Sequence, residues 1–256
     1  VRNVYTKAIG QYDDSMRKSE VFQEQLLDDF RTALQEGQFQ VWYQPKYNIR
    51  EDPFAISSAE ALVRWKHPTL GMVSPGVFVP LFEQNGLIQE LDYFVWQEAA
   101  RQVREWKERL GTAVPVSLNV SRIDMYDPEL VDKLVELVNR NRLSYGELLL
   151  EVTESAYTSN SEQIVEKVWD LRNRGFRIEM DDFGSGYSSL NMLSALPIDA
   201  LKLDMQFIRS AFRDRKDTRL LEAVIQLAKS LEVPTLAEGV ETAEQLMALR
   251  NMGCDI

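Results

Sequence analysis

The stretch from Leu148 to Asp182 reads LLLEVTESAYTSNSEQIVEKVWDLRNRGFRIEMDD. It opens on an apolar run, Leu148-Leu149-Leu150, that closes on Glu151-Val152-Thr153-Glu154. A short apolar run bounded by polar residues is the pattern of a strand buried on both faces. Ile164, Val168 and Leu171 then recur at helical spacing, and Gly175 follows where a left-handed C-cap is wanted. Arg177–Met180 is a second strand, and it too closes on acids, Asp181-Asp182. Strand, helix, strand in this order needs a crossover. The two strands therefore lie parallel, and their C-terminal ends share one edge.

The same alternation extends in both directions. Strands are expected at Gln40–Tyr47, Ala55–Trp65, Val114–Val120, Ala200–Leu203 and Pro234–Ala237. Helical stripes run through Leu87, Leu91, Val95, Ala99 and Val103, through Val131, Leu134 and Val138, and through Leu221, Val224, Ile225 and Ala228. An earlier helix is expected from Val21, with Phe22, Leu26, Phe30 and Leu34 on its apolar face and Gly37 as its stop. Asp127-Pro128 reads as an N-cap followed by proline at the first helical position. Thr242 with Gln245 reads as a capping box. The first two strands are joined by Asn48–Pro53, too short for a helical crossover, so they should pair antiparallel. The fold class is α/β, a (β/α)8 TIM-like barrel with its first strand antiparallel to the second.

Composition narrows the chemistry. The 256 residues include one cysteine, Cys254, and one histidine, His67, which excludes zinc sites built from several His and Cys ligands. Any metal must be held by oxygen, which favours Mg²⁺, Mn²⁺ or Ca²⁺. A net charge of −11 argues against DNA or RNA polymers as partners. The sequence has neither a membrane-spanning apolar run nor a signal-peptide layout, so a cytoplasmic domain is expected; a longer parent protein could still be membrane-anchored. His67, in a His-Pro turn, reads as structural, and Trp96, Trp106 and Trp169 as packing residues.

Nearly every strand ends in an acid, an amide or a lysine. Glu60, Asn119, Glu151 with Glu154, Asp181-Asp182, Lys202 with Asp204, and Glu238 with Glu241 follow in chain order. In parallel α/β folds such ends converge on one mouth. A single strand-end acid is more often a helix cap, but recurrence on consecutive strands favours a site. Carboxylates crowded together need cations, and divalent metals supply them. Asp181 to Ser189 (DDFGSGYSS) is either a phosphate-cradling turn or a tight connection, and it fits neither the Walker A nor the dinucleotide fingerprint. Two adjacent aspartates suit a pair of metals a few ångströms apart.

These motifs carry a resemblance. Glu60-Ala61-Leu62-Val63-Arg64-Trp65 matches the signature that names the EAL family of cyclic di-GMP phosphodiesterases. Gln44-Pro45, Asn119-Val120-Ser121, Glu151 to Glu154, Asp181 to Gly186, Lys202 to Asp204 and Ala237 to Glu241 follow in the family's order. The resemblance runs from Val21 to the last residue. It implies two Mg²⁺ or Mn²⁺ ions per site, with Glu60, Asn119, Glu151 and Asp181 as ligands and Asp182 serving the second ion. Lys202 would hold the attacking water, and Glu238 would orient metal-bound water or act as general base. Gln44, Leu62, Arg64 and Asp204 would contact substrate, with Arg64 reaching a phosphate. Glu154 would hold the 182–189 loop, and Glu241 would support the same mouth. The implied reaction opens cyclic di-GMP to linear pGpG; the alternative is an inactive cyclic di-GMP receptor. A homodimer is implied as well. Residues 1–20 resemble the tail of a GGDEF domain, which implies an upstream regulatory domain in the parent protein. The family pattern continues past Ile256 with a glutamine-glycine pair.

Two positions depart from the family pattern. Lys46 stands where an apolar residue is usual, and Glu179 where a small one is usual. Strand alternation puts Lys46 on the face of Gln44 and Glu179 on the face of Asp181. They either form a buried ion pair beneath the metals, or local twist turns one of them outward.

Overall fold

The computed structural model describes residues 14–158, 161–184 and 197–256. The chain divides into two units, Val1–Gln40 with Arg64–Leu87, and Val41–Val63 with Ile88–Ile256.

The smaller unit is organised by aromatic rings. Helix α1 (Asp14–Gln35) contributes Leu26, Phe30 and Ala33. Phe39 opens strand β1 (Phe39–Asn48), and Trp65 lies near the end of β2 (Ala55–His67). A short strand, β3 (Gly71–Val73), folds back antiparallel on β2, and helix α2 (Pro75–Asn85) adds Phe78, Leu81 and Phe82. Phe30 meets Phe82 edge-on at 4.7 Å, and Phe39 tilts against Trp65 at 4.8 Å. Such pairs add about 0.5–1.5 kcal/mol each beyond the area they bury. His67 is structural, as expected. Its Nε2 faces Asp29 Oδ2 at 3.0 Å, and its Nδ1 accepts from the Thr69 and Leu70 amides.

Among the described residues helix α1 runs from Asp14, seven residues before the expected Val21. Arg17, Lys18 and Glu20 lack an apolar period but are good helix formers, so propensity extends the helix where pattern is silent. Neither β3 nor α2 is foreseen by the sequence reading. Pro75, Gly76 and Pro80 look like breakers; Pro75 sits in the first helical turn, where proline is tolerated, whereas Pro80 lies inside the helix. Burial of Phe78, Leu81 and Phe82 outweighs the helix's poor local signal.

The larger unit holds the alternating pattern. Helix α3 (Ile88–Leu110) leads to β4 (Val116–Val120), then α4 (Arg122–Tyr126) and α5 (Leu130–Asn141). β5 (Leu148–Thr153), α6 (Glu154–Thr158), α7 (Ser161–Arg174) and β6 (Arg177–Phe183) follow. Among the described residues the chain ends with β7 (Ala200–Leu203), α8 (Met205–Ala211), α9 (Arg215–Ser230), β8 (Thr235–Ala237) and α10 (Ala243–Met252). The sheet order is β1-β2-β4-β5-β6-β7-β8. From β2 onward the neighbours on this path are parallel. β1 and β2 run antiparallel, as their short connection requires; Ser57 Oγ donates to the Lys46 carbonyl across them.

The caps correct one expectation and bear out two. Asp127 does not cap α5. It ends α4, and its Oδ1 accepts from the Glu129 amide in a local turn, which delays α5 to Leu130. The Thr242–Gln245 capping box is present, and Gly175 has positive φ. Trp96 and Trp106 pack, but Trp169 is 44% exposed with Arg172 over its ring.

Candidate active site

Strand register brings the polar residues together. Glu60 lies in register with Ser117, Asn119 with Glu151, Glu151 with Glu179, and Thr153 with Asp181. In parallel pairs these neighbours share a face, and a period of two returns every second residue to it. Ser117, Asn119, Glu151, Glu179 and Asp181 therefore point the same way, while Leu118, Leu150, Val152, Ile178 and Met180 belong to the hydrophobic core. Two amides fix the next strand ends. Asp204 N donates to Phe183 O, and Glu238 N donates to Leu203 O, both at 3.1 Å.

Lys202 is the hub of this cluster. Its side chain is only 1% exposed, and Nζ lies 2.8 Å from Glu151 Oε2, 2.9 Å from Asp181 Oδ1, 2.9 Å from Glu238 Oε1 and 3.3 Å from Glu60 Oε2. Asn119 Nδ2 donates to Glu60 Oε1 at 3.3 Å. The Asn119 backbone is pinned in turn, since Trp96 Nε1 donates to its carbonyl at 2.9 Å.

Asp182 reaches the same region by a different device. The β6–β7 register shifts between Met180 and Phe183, and Asp182 has φ +58°. Two residues, Asp181 and Asp182, are thereby set opposite Lys202 alone. A bulge of this kind re-aims a side chain that regular alternation would send to the opposite face. Asp181 is buried, whereas Asp182 is exposed to a cleft of about 740 Å³. Glu60, Leu62, Gln44, Asp204 and Glu238 line that cleft, together with Tyr47, Phe54 and Met205. Asp204 also caps α8, its Oδ1 accepting from the Gln206 and Phe207 amides. Arg64, two residues beyond Leu62 on β2, belongs to the smaller unit. Glu154 is buried at the start of α6, and most of the loop assigned to it lies in 185–196, outside the described residues. Glu241 pairs with Arg209 of α8.

The charges do not balance. Glu60, Glu151, Glu179, Asp181, Asp182 and Glu238 make six carboxylates, against the two ammonium groups of Lys46 and Lys202. Among these described side chains the formal negative charge exceeds the positive by four. Burial, with the charge of Glu151 beside it, pushes the Glu60 carboxyl up to about 7. Partial desolvation at the cleft wall and neighbouring Asp181 push Asp182 up to about 6. Glu238 is raised by burial as well. Burial also opposes the charge on Glu151, but Lys202 and Lys46 outweigh it and hold that carboxyl down to about 2. Burial opposes the charge on Lys202 too, yet the surrounding carboxylates keep its pKa well above the ordinary lysine value.

One carboxylate oxygen of the cluster lacks an aligned donor among the described residues. Asp181 Oδ1 is buried and near Lys202, but no donor among the described residues is aligned to hydrogen-bond it. Among the described residues no three His, Cys, Asp or Glu side chains form a ready-made cation cage. The donor set fits divalent metal nonetheless: oxygen ligands, an excess of formal negative charge and a buried carboxylate oxygen that Lys202 approaches without an aligned hydrogen bond among the described residues. Glu60, Asn119, Glu151, Asp181 and Asp182 would hold such ions.

Glu60 makes the metal-free protein pH-sensitive. Its folded pKa of about 7 lies above the ordinary 4.5, so between those values the folded state binds the extra proton. Stability from this group is complete below about 4.5 and is lost as pH rises through about 7. Glu60→Gln should reduce the slope, leaving the part that Asp182 and Glu238 contribute. Thermal melts of metal-free protein at pH 5 and pH 8 check it, with the variant gaining roughly 1–3 kcal/mol over the parent at the higher pH. An unchanged slope in the variant would assign the pH response to other groups.

Comparison with known proteins now settles the family. The family model for the EAL domain matches residues 27–256. The chain belongs to the EAL domain family. This EAL chain is 36% identical over 244 residues to the bifunctional diguanylate cyclase/cyclic di-GMP phosphodiesterase MucR of Pseudomonas aeruginosa, covering 95% of this chain and 35% of MucR. It is 36% identical over 232 residues to the cyclic di-GMP phosphodiesterase NbdA of the same organism, covering 91% of this chain and 29% of NbdA. The EAL chain thus spans about a third of the length of these relatives. The solved phosphodiesterase of Pseudomonas aeruginosa MucR in complex with c-di-GMP superposes with a TM-score of 0.85 at 37% identity, over 90% of this chain and 93% of the other. The expected TIM-like α/β class, with an antiparallel first pair, stands. Among the described residues no helix is long and apolar enough to cross a membrane.

Sequence reasoning misses Ser117 and the Trp96 anchor. Ser117 had a faint signal, since it precedes Asn119 by two residues in the apolar strand Val116–Val120. The Trp96 contact crosses from helix to strand and has none.

Proposed function

We propose that this EAL domain is a cyclic di-GMP phosphodiesterase that opens one phosphodiester bond to give linear pGpG, with two Mg²⁺ or Mn²⁺ ions bound at the mouth of the sheet. The observation that carries the reading is the gathering of Glu60, Glu151, Asp181 and Glu238 around one buried ammonium group. The named activities of MucR and NbdA support it. When bound, the metals supply charge neutralisation at the phosphate and an acidified water.

The chain's own residues do the rest. Lys202 keeps its proton, so it offers hydrogen bonds to an attacking hydroxide and stabilises that form over water. Glu238 touches Lys202, is half-buried and lines the cleft, which suits it to orient a water or accept its proton. Gln44, Leu62 and Asp204 line the same cleft and would contact the dinucleotide. Tyr47 and Phe54 give the cleft apolar surface for a base. Glu154 and Glu241 would support the mouth. We further infer that residues 1–20 lead from an upstream GGDEF-like domain, that the domain works as a homodimer, and that it acts in the cytoplasm.

The test is incubation with cyclic di-GMP, with and without Mg²⁺ or Mn²⁺, followed by product identification. Metal-dependent appearance of pGpG is expected. Nucleotide binding without turnover would make the domain a receptor instead.

A further inference from the structure

Beneath Glu151 lies a second layer of charge. Of the two arrangements open to Lys46 and Glu179, the buried ion pair is present, with Lys46 Nζ 2.6 Å from Glu179 Oε2. Nζ is also 2.6 Å from Glu151 Oε1 and donates to Ser117 Oγ at 2.6 Å. Ser117 Oγ in turn donates to Glu179 Oε2 at 2.8 Å. All three ammonium donors are used, and the four side chains are all under 9% exposed.

The two oxygens of Glu151 are therefore divided. Lys46 holds Oε1 from below, and Lys202 meets Oε2 from the cluster side at 2.8 Å. Lys46 is itself fixed at three points, so Glu151 cannot rotate without breaking the layer. Stability is a poor reason for such an arrangement, since buried ion pairs are often replaceable by apolar side chains at no loss. Orientation is a better one, because partners behind a ligand fix which oxygen it presents.

We propose that Lys46 and Glu179, joined through Ser117, are positioning residues that lock Glu151 Oε1 and leave Oε2 alone to serve a cation in the site. The proposal rests on Glu151 being a metal ligand.

The decisive variant is the double substitution Lys46→Met with Glu179→Gln. It removes one positive and one negative charge, so the net charge of the layer is unchanged. Calorimetric titration with Mn²⁺ should show affinity weakened by about tenfold, while thermal melts show the fold intact. Unchanged Mn²⁺ affinity in the folded double variant would overturn the proposal. If that variant does not fold, Ser117→Ala decides. Loss of the bridging hydroxyl should weaken Mn²⁺ binding by about twofold or more, and no change would overturn the proposal equally. Absence of Mn²⁺ binding by the unaltered protein would sink the metal reading itself, whereas binding indifferent to the pair sinks only the positioning role.

Discussion

Asp181→Asn should abolish hydrolysis of cyclic di-GMP, lowering turnover by about 10³-fold or more, which is about 4 kcal/mol of barrier. The substitution is nearly isosteric, so packing around β6 should hold. What changes is the charge at the one buried carboxylate oxygen that lacks an aligned donor among the described residues. A neutral amide there is a poor ligand, and it also withdraws the charge that helps raise neighbouring Asp182. Circular dichroism should therefore report a native fold while product analysis reports no pGpG. Turnover near the parent value would refute the assignment of Asp181 as a metal ligand.

Lys202→Met should cost the most stability. Methionine matches the length of the lysine stem but leaves Glu60, Glu151, Asp181 and Glu238 facing an apolar side chain. Removing one partner of a buried charge network costs about 3–5 kcal/mol, because the remaining charges stay desolvated. In a domain of this size the melting temperature of the metal-free protein should drop by roughly 10 °C. The loss should shrink at pH 5, where Glu60 takes up a proton, and shrink again when Mn²⁺ is added. A melting temperature within about 2 °C of the parent at pH 8 would mean that the carboxylates relax apart, and that Lys202 does not organise them.

Much of this architecture is legible in the order of the amino acids. The alternation from Leu148 to Asp182 announces parallel strands joined by a crossover, and the short Asn48–Pro53 connection announces the antiparallel first pair. Period-two alternation places Lys46 and Glu179 on the inward face, and they meet there. The smaller unit is less legible. Its helix α2 carries Pro75, Gly76 and Pro80, and only the rings of Phe30, Phe39, Trp65, Phe78 and Phe82 packing together justify a helix at that place.

The polar residues at the strand ends of this EAL domain, and their order, are properties of the sequence alone, because each follows its own apolar run and local periodicity sets the face it occupies. Which oxygen meets which nitrogen was decided by tertiary structure. Ser117 bridges Lys46 and Glu179, Trp96 anchors Asn119, and a bulge with positive φ at Asp182 sets both aspartates opposite Lys202. These contacts join residues far apart in the chain, and their energies depend on distance and desolvation, quantities that exist only once the strands have paired.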